Sequence, residues 1–318
     1  MMKKIPVQIT PLKRTRYAFQ RLRVCRSCHN FTVLWEKECM HCGKSAFIPV
    51  EHMAVRLTKR SMQTERLVAL FLTLAGVLFS STFQEIAICL GGGLALTVLL
   101  WIVQRQMVQT ESPRKLSKWF NQEQDRLIQG LRLNIEAAVS IRPDNERLAY
   151  EMLREIGTLV DSDRNRLQQL SLLRSFILRR DMDLQLESLL LFHFDEGLAE
   201  YIGEIAKIKP ELIKERTLLY VLDHEAEFLS MPGGKEILAA TVGAIVRMKR
   251  YVTLYPEFIR RYARLLPKDR FLRLFRIVTT DPHLQFSNLA VEVAEIYNSK
   301  YQWDPDFQNT DKKLGHNV

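Results

Sequence analysis

The sequence predicts a mainly α membrane protein with three parts: a small N-terminal metal-binding module, a two-helix transmembrane hairpin, and a C-terminal all-α helical array or short α-solenoid. Three observations predict this class. Four cysteines form two CxxC pairs near the N-terminus, residues 67–103 carry a single charged side chain, and the rest of the chain shows helical periodicity. A length of 318 residues leaves room for about two domains.

Charge divides the chain near residue 66. The formal net charge is +10, and all of this excess lies in residues 1–66, because residues 67–318 hold equal numbers of acidic and basic side chains. Apolar residues make up 47 % of the chain and charged residues 26 %, which excludes wholesale disorder. The 5 cysteines are too few for a disulfide scaffold.

Residues 1–21 are predicted to form a basic arm. The arm has no acidic residue, and Tyr17 and Phe19 stand among its basic side chains. Such a segment can contact anionic lipid or the phosphates of nucleic acid, and a segment that only orients the membrane helices has the same composition. The candidate basic patch consists of Lys13, Arg14, Arg16, Arg21 and Arg23.

Residues 22–50 contain the strongest chemical motif. Cys25-Arg-Ser-Cys28 is followed, ten residues later, by Cys39-Met-His-Cys42-Gly43. Two tight turns of this kind bring four thiolates to one tetrahedral ion. The pattern resembles the zinc-ribbon family over about residues 22–50. The resemblance implies a structural Zn²⁺ bound by Cys25, Cys28, Cys39 and Cys42, with no coordination position left for a catalytic water.

The two turns differ at the residue that follows the second cysteine. In the zinc-ribbon family this residue is often glycine; Gly43 matches and His29 departs from the pattern. His29 and His41 are expected to be solvent-exposed turn residues, since four cysteines already complete the site. The competing interpretation treats the CxxC pairs as thiol–disulfide redox motifs.

Residues 51–66 are predicted to be a basic linker, and residues 67–103 a transmembrane helical hairpin. The uncharged runs 67–83 and 86–103 are each just long enough to span a bilayer, and Gln84 and Glu85 fall at the turn. Lysine and arginine flank both runs but are absent from the turn, so the positive-inside rule predicts an integral membrane protein with two spans and both terminal domains in the cytoplasm. A buried hairpin of a soluble protein is the alternative. Small residues suited to close packing within the hairpin, or in a homo-oligomer, are Gly76, Ser80, Gly93 and Thr97.

Residues 113–300 are predicted to form a cytoplasmic α-helical domain, because seven prolines fall where apolar periodicity restarts. The segment Leu186–Phe194 is apolar on nearly all sides and is expected to be a central buried helix. Residues 301–318 are predicted to be a disordered tail. The predicted helices are 114–141, 144–160, 163–180, 182–194, 196–207, 210–229, 233–253, 256–265, 268–279 and 283–299.

These features favour a membrane-anchored, cytoplasm-facing adaptor or regulatory protein, which would bind protein partners through its helical domain. A membrane tether for nucleic acid or a ribonucleoprotein, acting through the basic arm and the ribbon, is the second hypothesis. A component of a transport or enzyme complex is the third. The sequence contains no complete catalytic motif: Asp223-His224-Glu225 begins like a metalloprotease helix, but Phe228 replaces the second histidine. We therefore expect no enzymatic activity.

Overall fold

The computed structural model describes residues 4–13, 15–80, 82–281, 284 and 287–308. The chain divides into two compact units. Lys13–Val160 form the first, which we call the ribbon–hairpin unit; residues up to Leu12, together with residues from Asp161 onward, form the second, which we call the helical unit. The ribbon–hairpin unit is thus an insertion between two segments of the helical unit. This division differs from the predicted domain boundary at residue 113 and splits the predicted arm of residues 1–21.

The described residues are mostly helical, with one small sheet near the N-terminus. Three short antiparallel strands, β1 (Arg23–Cys25), β2 (Phe31–Thr32) and β3 (Phe47–Pro49), lie in the order β2-β1-β3. The helices are α1 (Val50–Leu78), α2 (Phe83–Gln122), α3 (Gln124–Ser140), α4 (Glu146–Gly157), α5 (Asp163–Ser175), α6 (Glu196–Ile208), α7 (Glu215–Asp223), α8 (Glu225–Ser230), α9 (Gly234–Ile245), α10 (Lys249–Leu254), α11 (Pro256–Tyr262), α12 (Lys268–Thr280) and α13 (Asn288–Ile296).

The first two helices form a long antiparallel hairpin. Residues 50–78 and 86–107 are both long and apolar enough to cross a membrane. The predicted basic linker of residues 51–66 is not a linker, since it is the first half of α1. It is helical because Ala54, Thr58 and Met62 recur every four residues and are buried as one stripe.

The helix after the hairpin also differs from the prediction. Pro113 does not begin a helix but lies inside α2, which runs on to Gln122. Glu123 separates α2 from α3, and α3 packs against α4. A predicted single helix over 114–141 is therefore two helices, and the first of them is continuous with the apolar hairpin.

Most helices predicted in the helical unit are present, but the buried helix over 182–194 is wrong. This segment is extended, with one short 3₁₀ turn at Glu187–Leu189. Its first three buried side chains are Met182, Leu184 and Leu186, which alternate with polar residues as in a half-buried strand, and Leu189 and Leu191 are buried further along. Phe192, predicted to lie in the core, is 77 % exposed.

The described part of the predicted disordered tail, residues 301–308, is ordered. Phe307 is fully buried and packs its ring against Phe271 and Tyr301. Lys268 of α12 forms ion pairs with Asp304 and Asp306. Residues 301–308 are therefore part of the helical unit, because an aromatic anchor and two ion pairs fix them. Residues 309–318 lie outside the described part of the chain.

Candidate metal centre

The four cysteines of the CxxC pairs converge on one point. Their sulfur atoms all lie within 4.8 Å of one another, with 3.6 Å between Cys25 and Cys42 and 3.6 Å between Cys28 and Cys39. A tetrahedral ion with zinc–sulfur bonds of about 2.3 Å holds its ligands about 3.8 Å apart, so this arrangement fits a Zn²⁺-sized ion. All five cysteines of the chain are free thiols. The four cysteines could therefore hold one metal ion, and their arrangement is compatible with a zinc-binding ribbon.

Each pair is held by a backbone turn of the same form. The amide of His29 donates to the carbonyl of Cys25 at 2.9 Å, and the amide of Gly43 donates to that of Cys39 at 2.7 Å. Both turns end in the left-handed region, with φ of 58° at His29 and 69° at Gly43. His29 therefore occupies the conformation that usually calls for glycine, although its side chain differs from the family pattern.

The protein environment shifts the pKa values of two of these thiols in opposite directions. Burial alone raises the pKa of Cys25, but hydrogen bonds from the amides of Cys28 and Ser27 to its sulfur outweigh this and lower the pKa to about 7. Burial and the three neighbouring cysteines together raise the pKa of Cys28 to about 12, against the opposing effect of a hydrogen bond from the Asn30 amide. A cluster of thiols this close cannot hold four negative charges by itself. A divalent cation would supply the compensating charge.

The ribbon is packed against the helices that follow it. Leu22, Val24 and Phe31 of the ribbon share a buried core with Trp119 of α2. The rings of Phe31 and Trp119 have centroids 5.2 Å apart. One face of the sheet is therefore covered by the C-terminal part of α2 rather than open to a ligand.

Helix α3 fixes the ribbon from another side. The amide oxygen of Asn134, a buried residue, accepts hydrogen bonds from the Thr32 hydroxyl and the Val33 amide, both at 3.0 Å. One turn earlier on α3, Gly130 lies so close that an added Cβ would sit 2.3 Å from the Phe31 carbonyl oxygen. These two positions were not found from the sequence. Their spacing of four residues along one helix face was the available signal.

Two members of the candidate basic patch are engaged in contacts within the ribbon–hairpin unit. Arg21 forms an ion pair with Glu155 of α4, and both side chains are largely buried. Arg23 donates to the carbonyls of Leu34 and Glu36 and lies over the ring of Phe47. Lys13 and Arg16 are exposed. Arg14 lies outside the described residues.

Comparisons of the chain with protein-family models, with curated proteins and with solved structures find no match.

Proposed function

We propose that the chain is a membrane-anchored adaptor or regulatory protein whose ribbon and helical unit both lie in the cytoplasm. The single observation that carries the proposal is the exposure of the apolar side chains along α1 and α2. Leu67, Leu78 and Ile88 are 64 %, 77 % and 74 % exposed, and the same pattern continues along both helices. Apolar surface on this scale needs a lipid environment or a partner to cover it.

The direction of insertion follows from the flanking charges. The apolar stretch of α1 is preceded by Arg56, Lys59 and Arg60. The apolar stretch of α2 is followed by Arg105 and Arg114. A hairpin of two spans returns the chain to the side that it left, so the positive-inside rule favours a cytoplasmic location for both units.

In this proposal the metal has a structural role. A Zn²⁺ held by Cys25, Cys28, Cys39 and Cys42 would supply the cross-link that a sheet of three short strands lacks, and all four positions would be filled by sulfur. The ribbon would brace the extramembrane ends of α1 and α2 against α3. Partner binding is assigned to the helical unit.

The nucleic-acid tether is the weaker proposal because two of the basic side chains that would bind phosphate already have other partners. Arg21 and Arg23 bind acceptors within the ribbon–hairpin unit, and a phosphate would have to displace those contacts. A role as a component of a transport or enzyme complex has no observation of its own in its favour.

Topology provides the first test. A membrane-impermeant maleimide should label a Gln84→Cys variant in intact cells, because residue 84 lies in the first turn of α2, next to the loop that joins the two helices. An Asp125→Cys variant at the start of α3 is the matched control and should be labelled only after the cells are permeabilised. Labelling of Asp125→Cys in intact cells, or of neither variant before permeabilisation, would contradict the two-span arrangement.

The second test separates the adaptor from the tether. The full chain is extracted in mild detergent and its co-purified material is compared at low and high salt. Contacts to phosphate weaken steeply as salt rises, whereas contacts built on buried apolar anchors change little. Protein retained at high salt supports the adaptor proposal. Nucleic acid that is lost at high salt, with no protein retained, would replace it with the tether.

A further inference from the structure

The helical unit contains a surface cavity of about 430 Å³ where α6 ends and α12 begins. Its floor is α9, where Ala239 and Gly243 lie one turn apart and leave the helix surface low. At Gly243 an added Cβ would only reach ordinary contact distance, 3.5 Å from the Arg270 side chain, so the glycine is not needed for helix packing. Leu265 lines the cavity and is 54 % exposed, which gives the site an apolar edge.

Two cations line this cavity without a partner in the described part of the chain. The side chains of Lys207, in the last turn of α6, and of Arg270, in the first turn of α12, form no hydrogen bond or ion pair with any described residue. This sets them apart from their neighbours, since Arg247 is paired with Glu211 and Lys249 with Asp281. Unpaired cations at the wall of a cavity favour an anionic ligand.

Further positive charge surrounds Arg270. Burial lowers the pKa of Arg270 below its ordinary value, and the charges of Arg247 and Arg273 lower it further, against a smaller opposite effect of Asp269. Helix α12 also begins at the cavity wall, and its N-cap, Pro267, has no side chain that could accept from the first amides. Both features add positive potential to a site that already holds two unpaired cations.

One lining residue has the opposite charge. Glu236 of α9 is exposed and has no hydrogen-bond or ion-pair partner among the described residues. It reduces the positive potential, so its removal should act in the opposite sense to removal of the cations. Substitutions in the site can therefore be tested by the direction of the change in affinity as well as by its size.

We infer that this cavity, with Lys207 and Arg270 at its wall and Leu265 at its edge, binds an acidic peptide segment of a partner protein. The cations would hold carboxylate side chains of the segment, and an apolar side chain between them would cover Leu265. The low surface of α9 at Ala239 and Gly243 would let the peptide backbone approach closely. The inference rests on the proposed adaptor function and names the chemistry of the partner.

The test measures binding of a dye-labelled peptide to the full chain in neutral detergent by fluorescence anisotropy. The probe has one leucine with two glutamates on each side, and the control probe has glutamine in place of every glutamate. A Lys207→Gln, Arg270→Gln double variant should bind the acidic probe at least about tenfold more weakly, since hydrogen bonds between charged groups are the strongest of their kind. A Glu236→Gln variant should bind it more tightly than the wild type.

The basic N-terminal region could attract the same probe without any specific site. A Lys13→Gln, Arg16→Gln variant removes the same number of charges there and should leave the affinity within about twofold, because these exposed charges are screened. An equal loss in both double variants would overturn the inference, as would equal binding of the two probes.

A nucleic-acid site would give a different result. If a short single-stranded DNA displaces the acidic peptide and its own binding requires Lys207 and Arg270, the cavity is a phosphate site and the inference is wrong. Failure of peptide binding while the labelling of Gln84→Cys and the salt-resistant protein capture are as expected would overturn this site alone. Failure of those two tests would overturn the adaptor proposal itself.

Discussion

At the residue scale, the candidate metal centre contains one residue, His29, whose backbone conformation is unfavourable for a residue with a side chain. His29 and Gly43 occupy equivalent places in the two CxxC turns, and both have positive φ. A left-handed conformation costs a residue with a Cβ about 1–2 kcal/mol. Glycine avoids this cost, but its greater flexibility in the unfolded chain offsets part of the gain in stability. The difference between the turns should therefore be measurable in the stability of the metal-bound ribbon.

We expect His29→Gly to strengthen retention of Zn²⁺ by about 0.5–1 kcal/mol, because it relieves this strain without removing a ligand. His29→Val should weaken retention by about 1 kcal/mol or more, because a β-branched residue tolerates positive φ least. Competition with a chromophoric chelator measures both. The Cys39→Ala, Cys42→Ala double variant is the control for loss of the site and should bind no stoichiometric metal. Stronger binding by His29→Val than by His29→Gly would contradict the strain argument.

A second residue-scale prediction concerns Gly130, where α3 meets the ribbon. Gly130→Ala would place its Cβ 2.3 Å from the Phe31 carbonyl oxygen, a backbone atom that cannot rotate away. We expect the free energy of unfolding to fall by about 1–3 kcal/mol, because α3 must move away from the ribbon. Hydrogen exchange of the Val33 amide reports this directly, since that amide donates to Asn134. Gly91→Ala is the matched control, because an added Cβ there meets nothing within 4 Å. Unchanged exchange in Gly130→Ala would show that α3 does not support the ribbon.

At the scale of elements, the presence and the start of a helix were predictable where N-cap residues and apolar periodicity agreed. Asn145 and Asp195 are N-caps whose side chains accept from the amides of α4 and α6, and both helices begin within two residues of their predicted positions. The extended segment near Met182 was missed because its apolar residues, taken together with the run near Leu190, suggested a helix. The alternation of Met182, Leu184 and Leu186 with polar residues was the correct signal.

The extent of α1 could not be predicted from hydropathy alone. Residues 50–66 carry several charges, and only the partner helix shows that their buried stripe has a surface to pack on. The same pairing explains a polar residue that the sequence did not single out. Gln104 of α2 is 4 % exposed; its amide oxygen accepts from Arg66 at 2.6 Å and its amide nitrogen donates to Glu65 at 2.9 Å. This cluster joins the two helices beside their apolar stretches.

We expect Gln104→Leu to destabilise the hairpin by about 1–3 kcal/mol, although leucine is more apolar, because Arg66 and Glu65 would lose a buried partner. The thermal unfolding midpoint of the full chain in detergent measures the loss. Gln106→Leu makes the same chemical change at an exposed position of the same helix and should leave the midpoint nearly unchanged. A higher midpoint in Gln104→Leu would mean that apolar burial outweighs the polar cluster.

At the scale of the whole molecule, charge suggested a different division from the one that packing produces. The net charge changes near residue 66, whereas the compact units divide at residues 12 and 160. Charge is the basis of the proposed membrane topology, but it does not report which segments share a core. The first residues of the predicted basic arm belong to the helical unit through backbone hydrogen bonds, the buried side chain of Ile9 and an ion pair between Lys4 and Glu204, none of which composition reveals.

These contacts make residues 4–12 a part of the helical unit. The amide of Ile5 donates to the Ser175 carbonyl at 2.7 Å, and the amide of Ile177 donates to the Ile5 carbonyl at 2.9 Å. Ile9 is 4 % exposed, and the amide of Leu12 donates to the Asp183 carboxylate at 2.6 Å. Without this segment, the extended stretch after α5 would lose the isolated β-bridge between Ile5 and Phe176.

The last prediction follows from this connectivity. A fragment of residues 161–308 should unfold at a lower temperature than the same fragment supplied with a peptide of residues 1–12, because a ligand that binds only the folded state raises its stability. A peptide with Ile9→Asp should give no rise, since it would bury a charge without a partner. A peptide with Ile5→Thr should still give one, because Ile5 is 44 % exposed and its contribution is the backbone pairing. Thermal unfolding followed by circular dichroism measures all three. If the wild-type peptide leaves the midpoint unchanged while the fragment itself unfolds cooperatively, residues 4–12 are dispensable, and the helical unit is built from residues 161–308 alone.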